Sequence, residues 1–254
     1  MELGRLPAFD GIRAAFSTRA TERAGALVGF NGTVRDADGR LNDEYVARLA
    51  ATLGFAFGRL GTCRQVHGAT VCGHEVAERR WYERCDGLAT DLVAAPVAVF
   101  TADCVAILLW APTAGTLALV HAGWRGTTAK ILARAVALMR ERWGARPQEI
   151  SAFLGPAIGP CCYEVGEDVA AATRAALGKR AGQALAPSGG RYRLDLHRAN
   201  LLIAQEAGLA PINLYRVRGC TSCDADLFPS WRRDGERAGR IAAFAERKGG
   251  GLGR

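Results

Sequence analysis

Apolar residues between positions 95 and 122 fall into short continuous runs separated by turn residues. The runs PVAVF, VAILLW and TLALVHA have the length of strands and no polar alternation, which is typical of strands buried on both faces. The segment APTAG, between the last two runs, has the composition of a tight turn. We therefore predict an antiparallel hairpin that closes near Thr113 and Ala114.

Downstream of the hairpin the hydrophobic period changes from strand to helix. Between Thr127 and Trp143, apolar residues recur at helical spacing, which predicts one amphipathic helix that covers the sheet. The segment EISAFLG is predicted as a strand, GEDVAAATRAAL and DLHRANLLIAQEAGL as helices, and INLYRVRG and GRIAAFAER as late strands. Strands and helices alternate irregularly, which favours a layered α/β or α+β fold with mixed sheets.

No composition shift marks a linker, so residues 1–247 are predicted to form a single domain. The last residues, KGGGLGR (248–254), are rich in glycine and are predicted to form a flexible tail. The first residues lack the pattern of a signal peptide, and no stretch reaches the roughly 18 apolar residues of a membrane span. We therefore expect a cytoplasmic protein with no membrane partner.

The charge of the chain favours small anionic ligands. Among 254 residues there are 33 basic side chains, thirty of them arginine, and the formal net charge is +8. A basic surface suits phosphates, but no clustered basic run with interleaved aromatic residues is present. We expect a small-molecule substrate and no nucleic acid.

The predicted hairpin brings two reactive side chains close together. Cys104 precedes its first strand and His121 lies near the end of its second, so the two become neighbours. His67, beside Gly68 in RQVHGATV, adds a third donor. Two imidazoles and a thiolate suit Zn²⁺, with copper as a less favoured ion, and leave the fourth position for water or substrate. Alternatives are a buried structural role, or Cys104 as a nucleophile activated by His121.

Other polar residues give weaker signals. Cys220 and Cys223 form a CxxC pair without a second pair, which is weak evidence for zinc, and Cys161 and Cys162 are adjacent, which does not suit one tetrahedral site. We interpret these four cysteines as non-catalytic. Asp103 is interpreted as a turn cap. The remaining two histidines, His74 and His197, are interpreted as ordinary structural residues.

A series of motifs spans nearly the whole chain and resembles one bacterial family. The motifs are STR, with Thr18 and Arg19, then RQVHGATV, DGLAT, TADCVAILL, HAGWRGT, FLGPAIGPCCYEVG, LDLHRANL, CTSC, FPSWRRDG and AGR. The series resembles the multicopper polyphenol oxidase (laccase-domain) family, also described as purine nucleoside phosphorylase and peptidoglycan editing factor. The resemblance implies a layered α/β/β/α fold like the cytotoxic necrotizing factor catalytic domain, and a zinc site at His67, Cys104 and His121.

The resemblance also implies an activity. It suggests phosphorolysis of adenosine, inosine and methylthioadenosine, with adenosine deamination as a second reaction. Cys104, His121 and Arg19 are then the expected catalytic residues. Substrate is expected to contact Asn31, Asp86 and Arg125, and the arginines suit phosphate. The alternative for Asp86 is a turn with Gly87.

Three rival functions stay open at the level of sequence. The first is a Cys/His hydrolase that removes misincorporated L-serine from a UDP-MurNAc precursor. The second is a copper-dependent polyphenol oxidase, which ranks lower because one cysteine and two histidines make one copper site only. The third is a non-enzymatic structural metal domain, against which the count of three ligands argues.

Overall fold

Two mixed β-sheets stacked face to face form the centre of the molecule, and helices cover their outer faces. The computed structural model describes residues 7–19 and 42–249. The predicted substrate residue Asn31 and positions 250–254 of the predicted tail lie outside these described residues. The layers follow one another in the order helix, sheet, sheet, helices.

The strands and helices predicted from the hydrophobic pattern are present, and the described residues contain further elements that the pattern did not predict. The strands are β1 (Ile12–Phe16), β2 (Gly61–Cys63), β3 (Val71–Gly73), β4 (Arg80–Tyr82), β5 (Gly87–Thr90), β6 (Val97–Thr101), β7 (Val105–Ala111), β8 (Thr116–Ala122), β9 (Ser151–Leu154), β10 (Glu164–Val165), β11 (Leu185–Ser188), β12 (Arg191–Leu194), β13 (Leu214–Arg216) and β14 (Ile241–Arg247). The helices are α1 (Asp43–Leu53), α2 (Trp124–Thr128), α3 (Ile131–Trp143), α4 (Glu167–Leu177), α5 (Leu196–Glu206) and α6 (Trp231–Asp234).

The two large sheets combine parallel and antiparallel pairs. One has the order β1-β14-β6-β2-β4 and the other the order β13-β9-β7-β8-β5-β3, while β10, β12 and β11 form a small antiparallel sheet. The hairpin prediction is confirmed, because β7 and β8 pair antiparallel with Ala106 opposite His121. None of the helices in the described ranges is long and apolar enough to cross a bilayer.

Three apolar cores separate the layers. Along β7, alternate side chains enter different cores: Ile107 faces the helices α3, α4 and α5, and Leu108 faces the other sheet. Helix α1 covers the outer face of the first sheet, where Tyr45 packs near Phe244. Burial on both faces explains the continuous apolar runs, since each fully buried leucine or isoleucine contributes about 1.5–3 kcal/mol. The predicted layered fold with mixed sheets is confirmed.

The prediction of a single helix from Thr127 to Trp143 is wrong at the N-terminal end of that segment. Thr127 belongs to the short helix α2, and α3 begins only at Ile131. Between them Lys130 has a left-handed backbone, with φ 59°, which redirects the chain. A hydrophobic period does not reveal such a break because the apolar positions of α3 continue to face the sheet.

Candidate active site

Three separate segments end at one point beside the second sheet. His67 follows β2, Cys104 lies between β6 and β7, and His121 lies in β8. Their ligand-type atoms all lie within 4.8 Å of one another, and the two imidazole centroids are 4.8 Å apart at an interplanar angle of 77°. The structure therefore brings together the three residues that the sequence singled out.

Close packing around these residues depends on glycine. A Cβ added to Gly123 would lie 2.9 Å from the Sγ of Cys104 and 3.3 Å from the Cδ2 of His67. A Cβ on Gly126 would lie 2.8 Å from the carbonyl oxygen of Gly68, on the loop that bears His67. The two glycines of HAGWRG thus let helix α2 approach both histidine-bearing segments.

Asp86 holds both histidine segments in place. Its carboxylate is fully buried, and Oδ1 accepts the backbone N–H of His67 at 2.8 Å and the ring Nδ1–H of His121 at 2.9 Å. Oδ2 accepts the N–H of Gly68 at 2.7 Å and of Val66 at 3.3 Å. The bond to Nδ1 leaves Nε2 of His121 as the nitrogen free to face Cys104.

These hydrogen bonds give Asp86 a positioning role. The carboxylate is bonded to His121 and to the loop of residues 66–68, and it is not among the residues that line the adjacent cavity. Its contact with substrate stays a prediction. Gly87 begins β5 rather than a turn, and a Cβ there would lie 2.5 Å from the Cγ1 of Val120. Close contact between neighbouring strands β5 and β8 is the reason for that glycine.

The paired charges of the site favour a thiolate. Burial raises the pKa of the Cys104 thiol, but the charge of His121 and hydrogen bonds from both imidazoles outweigh it and bring that pKa to about 6. Burial lowers the pKa of His121, whereas the Cys104 thiolate and the hydrogen bond to Asp86 raise it to about 9. The two histidines therefore favour the thiolate form of Cys104, the form that binds metals and attacks electrophiles.

A cavity of about 550 Å³ opens onto the three residues, a volume in the range of small-molecule sites. Its walls combine the predicted donors with aromatic and cationic side chains. The lining residues are Gln65, His67, Phe100, Thr101, Ala102, Asp103, Cys104, His121, Ile158, Tyr163, Trp231, Arg232 and Arg240. Thr101 lines the cavity, and its buried hydroxyl has no hydrogen-bond partner among the described residues.

The two predicted arginines are not among the residues that line this cavity. Arg19 pairs with Asp234 at 2.8 Å, and its Nε is buried without a partner in the described part of the chain. The exposed Arg125 lies over the Trp124 ring, 4.4 Å from its centroid. Arg232 and Arg240 line the cavity instead. These two arginines were not predicted from the sequence, although Arg232 lies in the motif FPSWRRDG and Arg240 in AGR. Only the hairpin predicted which residues lie close together in space.

Asp103 does not cap a local turn, contrary to the prediction. Its Oδ1 accepts the hydroxyl of Thr221 at 2.6 Å, and its Oδ2 accepts the backbone N–H of Arg232 at 2.7 Å. These partners lie 118 and 129 residues further along the chain. Asp103 therefore ties the segment that bears Cys104 to the far wall of the cavity.

The four remaining motif cysteines, which the sequence indicated were non-catalytic, lie close together in space. The sulfurs of Cys161, Cys162, Cys220 and Cys223 lie within 4.8 Å of one another, because the turn after β9 and the loop after β13 meet. By contrast, His74 and His197 are structural, as predicted. His74 is hydrogen-bonded to the Tyr82 hydroxyl at 3.0 Å, and His197 to the Gly155 carbonyl oxygen at 2.8 Å.

Comparison with known proteins agrees with these features. Residues 13–248 match the family described as multi-copper polyphenol oxidoreductase laccase. The chain belongs to this laccase family. A family relative from Deinococcus radiodurans, named purine nucleoside phosphorylase, is 42% identical over 230 residues, which cover 90% of this chain and 87% of the relative.

Two further comparisons cover almost the full length of the chain. Adenosine deaminase RL5, from an unknown prokaryotic organism, is 32% identical over 259 residues, 94% of this chain and 95% of the relative. The crystal structure of YlmD from Geobacillus stearothermophilus superposes with a TM-score of 0.84 at 34% identity, over 96% of this chain and 94% of that one. The laccase family thus includes relatives with two different enzyme names.

Proposed function

We propose that the protein is a zinc-dependent purine nucleoside phosphorylase with adenosine deaminase activity. The observation that supports this most directly is the convergence of His67, Cys104 and His121 on a cavity of about 550 Å³. A relative 42% identical to the chain is named for the first activity, and one 32% identical for the second. The proposal retains a cytoplasmic, small-molecule enzyme that needs neither nucleic acid nor membrane.

The donor set fits zinc. Two imidazoles and one thiolate are ligands that Zn²⁺ prefers, and three protein ligands leave one position for a small molecule. Asp86 fixes the His121 ring through Nδ1, the usual outer support of a histidine ligand. When bound, the ion supplies Lewis acidity and lowers the pKa of a coordinated water, the chemistry needed to replace the amino group of adenine. Copper accepts similar ligands and is the less favoured ion.

The cavity walls suit the two parts of a phosphorolysis reaction. Tyr163 and Trp231 line the cavity and supply aromatic surface for a purine, with Arg232 over one face of the Tyr163 ring and Arg240 over one face of the Trp231 ring. Arg232 and Arg240 supply positive charge for phosphate, and Arg232 is held by bonds to the carbonyl oxygens of Cys162 and Glu164. In the reaction a phosphate oxygen bonds to ribose C1′ while the bond from C1′ to the purine nitrogen breaks. The purine leaves with a proton.

Replacing Thr101 with valine tests the substrate side of the cavity. Thr101→Val removes a hydroxyl that has no partner among the described residues, so we expect unchanged stability. A hydrogen bond to substrate worth about 0.5–1.5 kcal/mol would be lost, which raises KM for the nucleoside or phosphate roughly two- to tenfold. Steady-state kinetics and thermal unfolding measure both effects.

A buried threonine outside the cavity provides the control. The hydroxyl of Thr116 donates to the Thr90 carbonyl oxygen at 3.0 Å, so Thr116→Val should lower stability and leave KM unchanged. If Thr101→Val changes neither the KM for the nucleoside nor the KM for phosphate, the Thr101 hydroxyl makes no contact with substrate.

One observation favours a second candidate, a Cys/His hydrolase that releases L-serine from a UDP-MurNAc precursor. The lowered pKa of Cys104, caused chiefly by His121 and His67 acting against burial, is also typical of a nucleophilic cysteine. In that reaction the Cys104 thiolate attacks the amide carbonyl, and the C–N bond breaks as the serine amine takes a proton from His121. Water then hydrolyses the thioester, which releases the carboxylate and restores the thiolate. Copper-dependent phenol oxidation has no comparable support from the cavity.

The function is tested by product identification. Zinc-loaded protein is incubated with adenosine, with and without phosphate, and in parallel with the serine-containing precursor and with a phenol under oxygen. We expect adenine and ribose 1-phosphate when phosphate is present, and inosine when it is absent. Release of serine without turnover of any nucleoside would replace the proposal with the hydrolase, and oxygen-dependent phenol oxidation alone would replace it with an oxidase.

A further inference from the structure

A second cluster of potential ligands lies apart from the three residues of the active site. The Sγ of Cys223 lies 3.3 Å from that of Cys162 and 3.6 Å from that of Cys161, and Cys220 completes a set whose sulfurs all lie within 4.8 Å. A zinc–sulfur bond of about 2.3 Å in tetrahedral geometry places the sulfurs about 3.8 Å apart. We infer that these four cysteines bind a structural Zn²⁺ ion.

The backbone of the CxxC pair is shaped for this role. The N–H groups of Cys223 and Asp224 both donate to the carbonyl oxygen of Cys220, at 3.0 and 2.8 Å, which closes a tight turn. The N–H of Gly159 donates to the Cys220 sulfur at 3.1 Å. Hydrogen bonds from N–H groups stabilise a thiolate, the form required of a metal ligand.

Adjacent cysteines share the site because they lie on a turn. The N–H groups of Cys162 and Tyr163 both donate to the carbonyl oxygen of Gly159, each at 3.0 Å. Along a curved backbone neighbouring side chains do not point in opposite directions, as they would along a strand. Both sulfurs therefore reach the CxxC pair, which the sequence spacing alone did not indicate.

Three arginine side chains are hydrogen-bonded to the two segments that bear the cysteines. Four thiolates around Zn²⁺ carry a net charge of −2. Arg193 donates to the carbonyl oxygen of Cys161 at 2.9 Å, and Arg232 to that of Cys162 at 3.1 Å. Arg233 donates to the carbonyl oxygens of Thr221 and Ser222, between the CxxC cysteines, at 2.9 and 3.0 Å. Three guanidinium groups thus hold both ligand segments, while Arg233 is also paired with Asp234 and Arg193 with Glu164.

The sulfur separations favour a single ion over other uses of four cysteines. All four thiols are free, and their separations exceed the roughly 2.05 Å of a disulfide bond. An iron–sulfur cluster inserts several iron and sulfide atoms between its thiolates, which sulfurs this close do not accommodate. A soft four-thiolate set selects Zn²⁺ among the common divalent ions.

The ion also connects to the active site. Thr221 lies between the CxxC cysteines and donates to Asp103 at 2.6 Å, the neighbour of Cys104. Tyr163 follows Cys162 and lines the cavity. The zinc ion therefore fixes Tyr163, which lines the cavity, and Thr221, which holds the lining residue Asp103, and these cysteines act as positioning residues.

The test compares zinc content in matched cysteine variants of the full chain. Protein expressed with Zn²⁺ and kept reduced is freed of loose metal, and zinc per chain is measured for wild type, Cys223→Ser, Cys161→Ser and the control Cys72→Ser. Cys161 and Cys223 are exposed, so serine should be tolerated there, and circular dichroism checks the fold. We expect each cluster variant to lose one zinc equivalent and Cys72→Ser to lose none.

Two further measurements separate this site from the active-site metal. His67→Ala should lose a different equivalent, so that His67→Ala/Cys223→Ser loses both. In cobalt-substituted protein, Cys223→Ser should remove most of the thiolate-to-metal charge-transfer absorption, whereas His67→Ala should retain it. Equal zinc content in wild type, Cys161→Ser and Cys223→Ser would overturn the inference. Iron bound at the cluster, or a mass that shows disulfides in freshly purified reduced protein, would also overturn it.

Discussion

Cys104→Ala should lose the active-site zinc and both nucleoside activities together. The variant leaves His67 and His121 as two imidazoles without the thiolate that completes the set, and two ligands hold zinc far more weakly than three. A catalytic metal lowers the activation barrier by several kcal/mol. Its loss is therefore expected to reduce kcat/KM about 10³-fold or more. Zinc per chain and the rates of phosphorolysis and deamination measure the result.

Parallel variants separate a ligand from a nucleophile. His67→Ala should reproduce the joint loss, because His67 contributes a donor to the same cluster. If Cys104 were only a nucleophile, its alanine variant would keep the zinc that His67→Ala loses, and only covalent chemistry would fail. Cys72→Ala, which removes a thiol outside both cysteine-containing metal clusters, should keep metal and activity. Unchanged zinc in both Cys104→Ala and His67→Ala would refute the proposed site.

Sequence alone predicted the hairpin and the juxtaposition it creates. Continuous apolar runs separated by one turn admit few arrangements, and antiparallel pairing then fixes which ends meet. That is why Cys104 and His121 were expected together, and β7 and β8 show the corresponding register. His67 was included on weaker grounds, since nothing in local patterning fixes the distance between its loop and the hairpin.

Contacts between distant segments were not predictable from pattern. Asp103 reaches Thr221 over 118 residues, and Cys162 reaches Cys223 over 61. Such neighbours depend on how β9 and β13 lie side by side in the sheet, which hydrophobic periodicity does not specify. The role of Asp86 was missed for a related reason. A polar residue before glycine is typical of a turn, and only the buried hydrogen bonds show otherwise.

Asp86→Asn should have a large effect on both metal affinity and stability. The four hydrogen bonds of Asp86 are divided between its oxygens, so asparagine must turn an N–H₂ group toward two donors in either orientation. One orientation opposes the N–H groups of Val66 and Gly68, and the other opposes those of His67 and His121. Breaking such a buried charged network costs about 3–5 kcal/mol, and losing the outer partner of a histidine ligand lowers metal affinity about 10–100-fold.

Chemical denaturation and competition with a zinc chelator measure these two effects of Asp86→Asn. Asp168→Asn, an exposed aspartate in the first turn of α4, makes the same chemical change away from the site and should alter stability by no more than about 1 kcal/mol. Restoring zinc at saturating concentration should recover much of the lost activity, because the three ligands themselves remain. If Asp86→Asn retained wild-type zinc affinity, the bond from Asp86 to His121 would be structural only, and orientation of the ring would have to come from elsewhere.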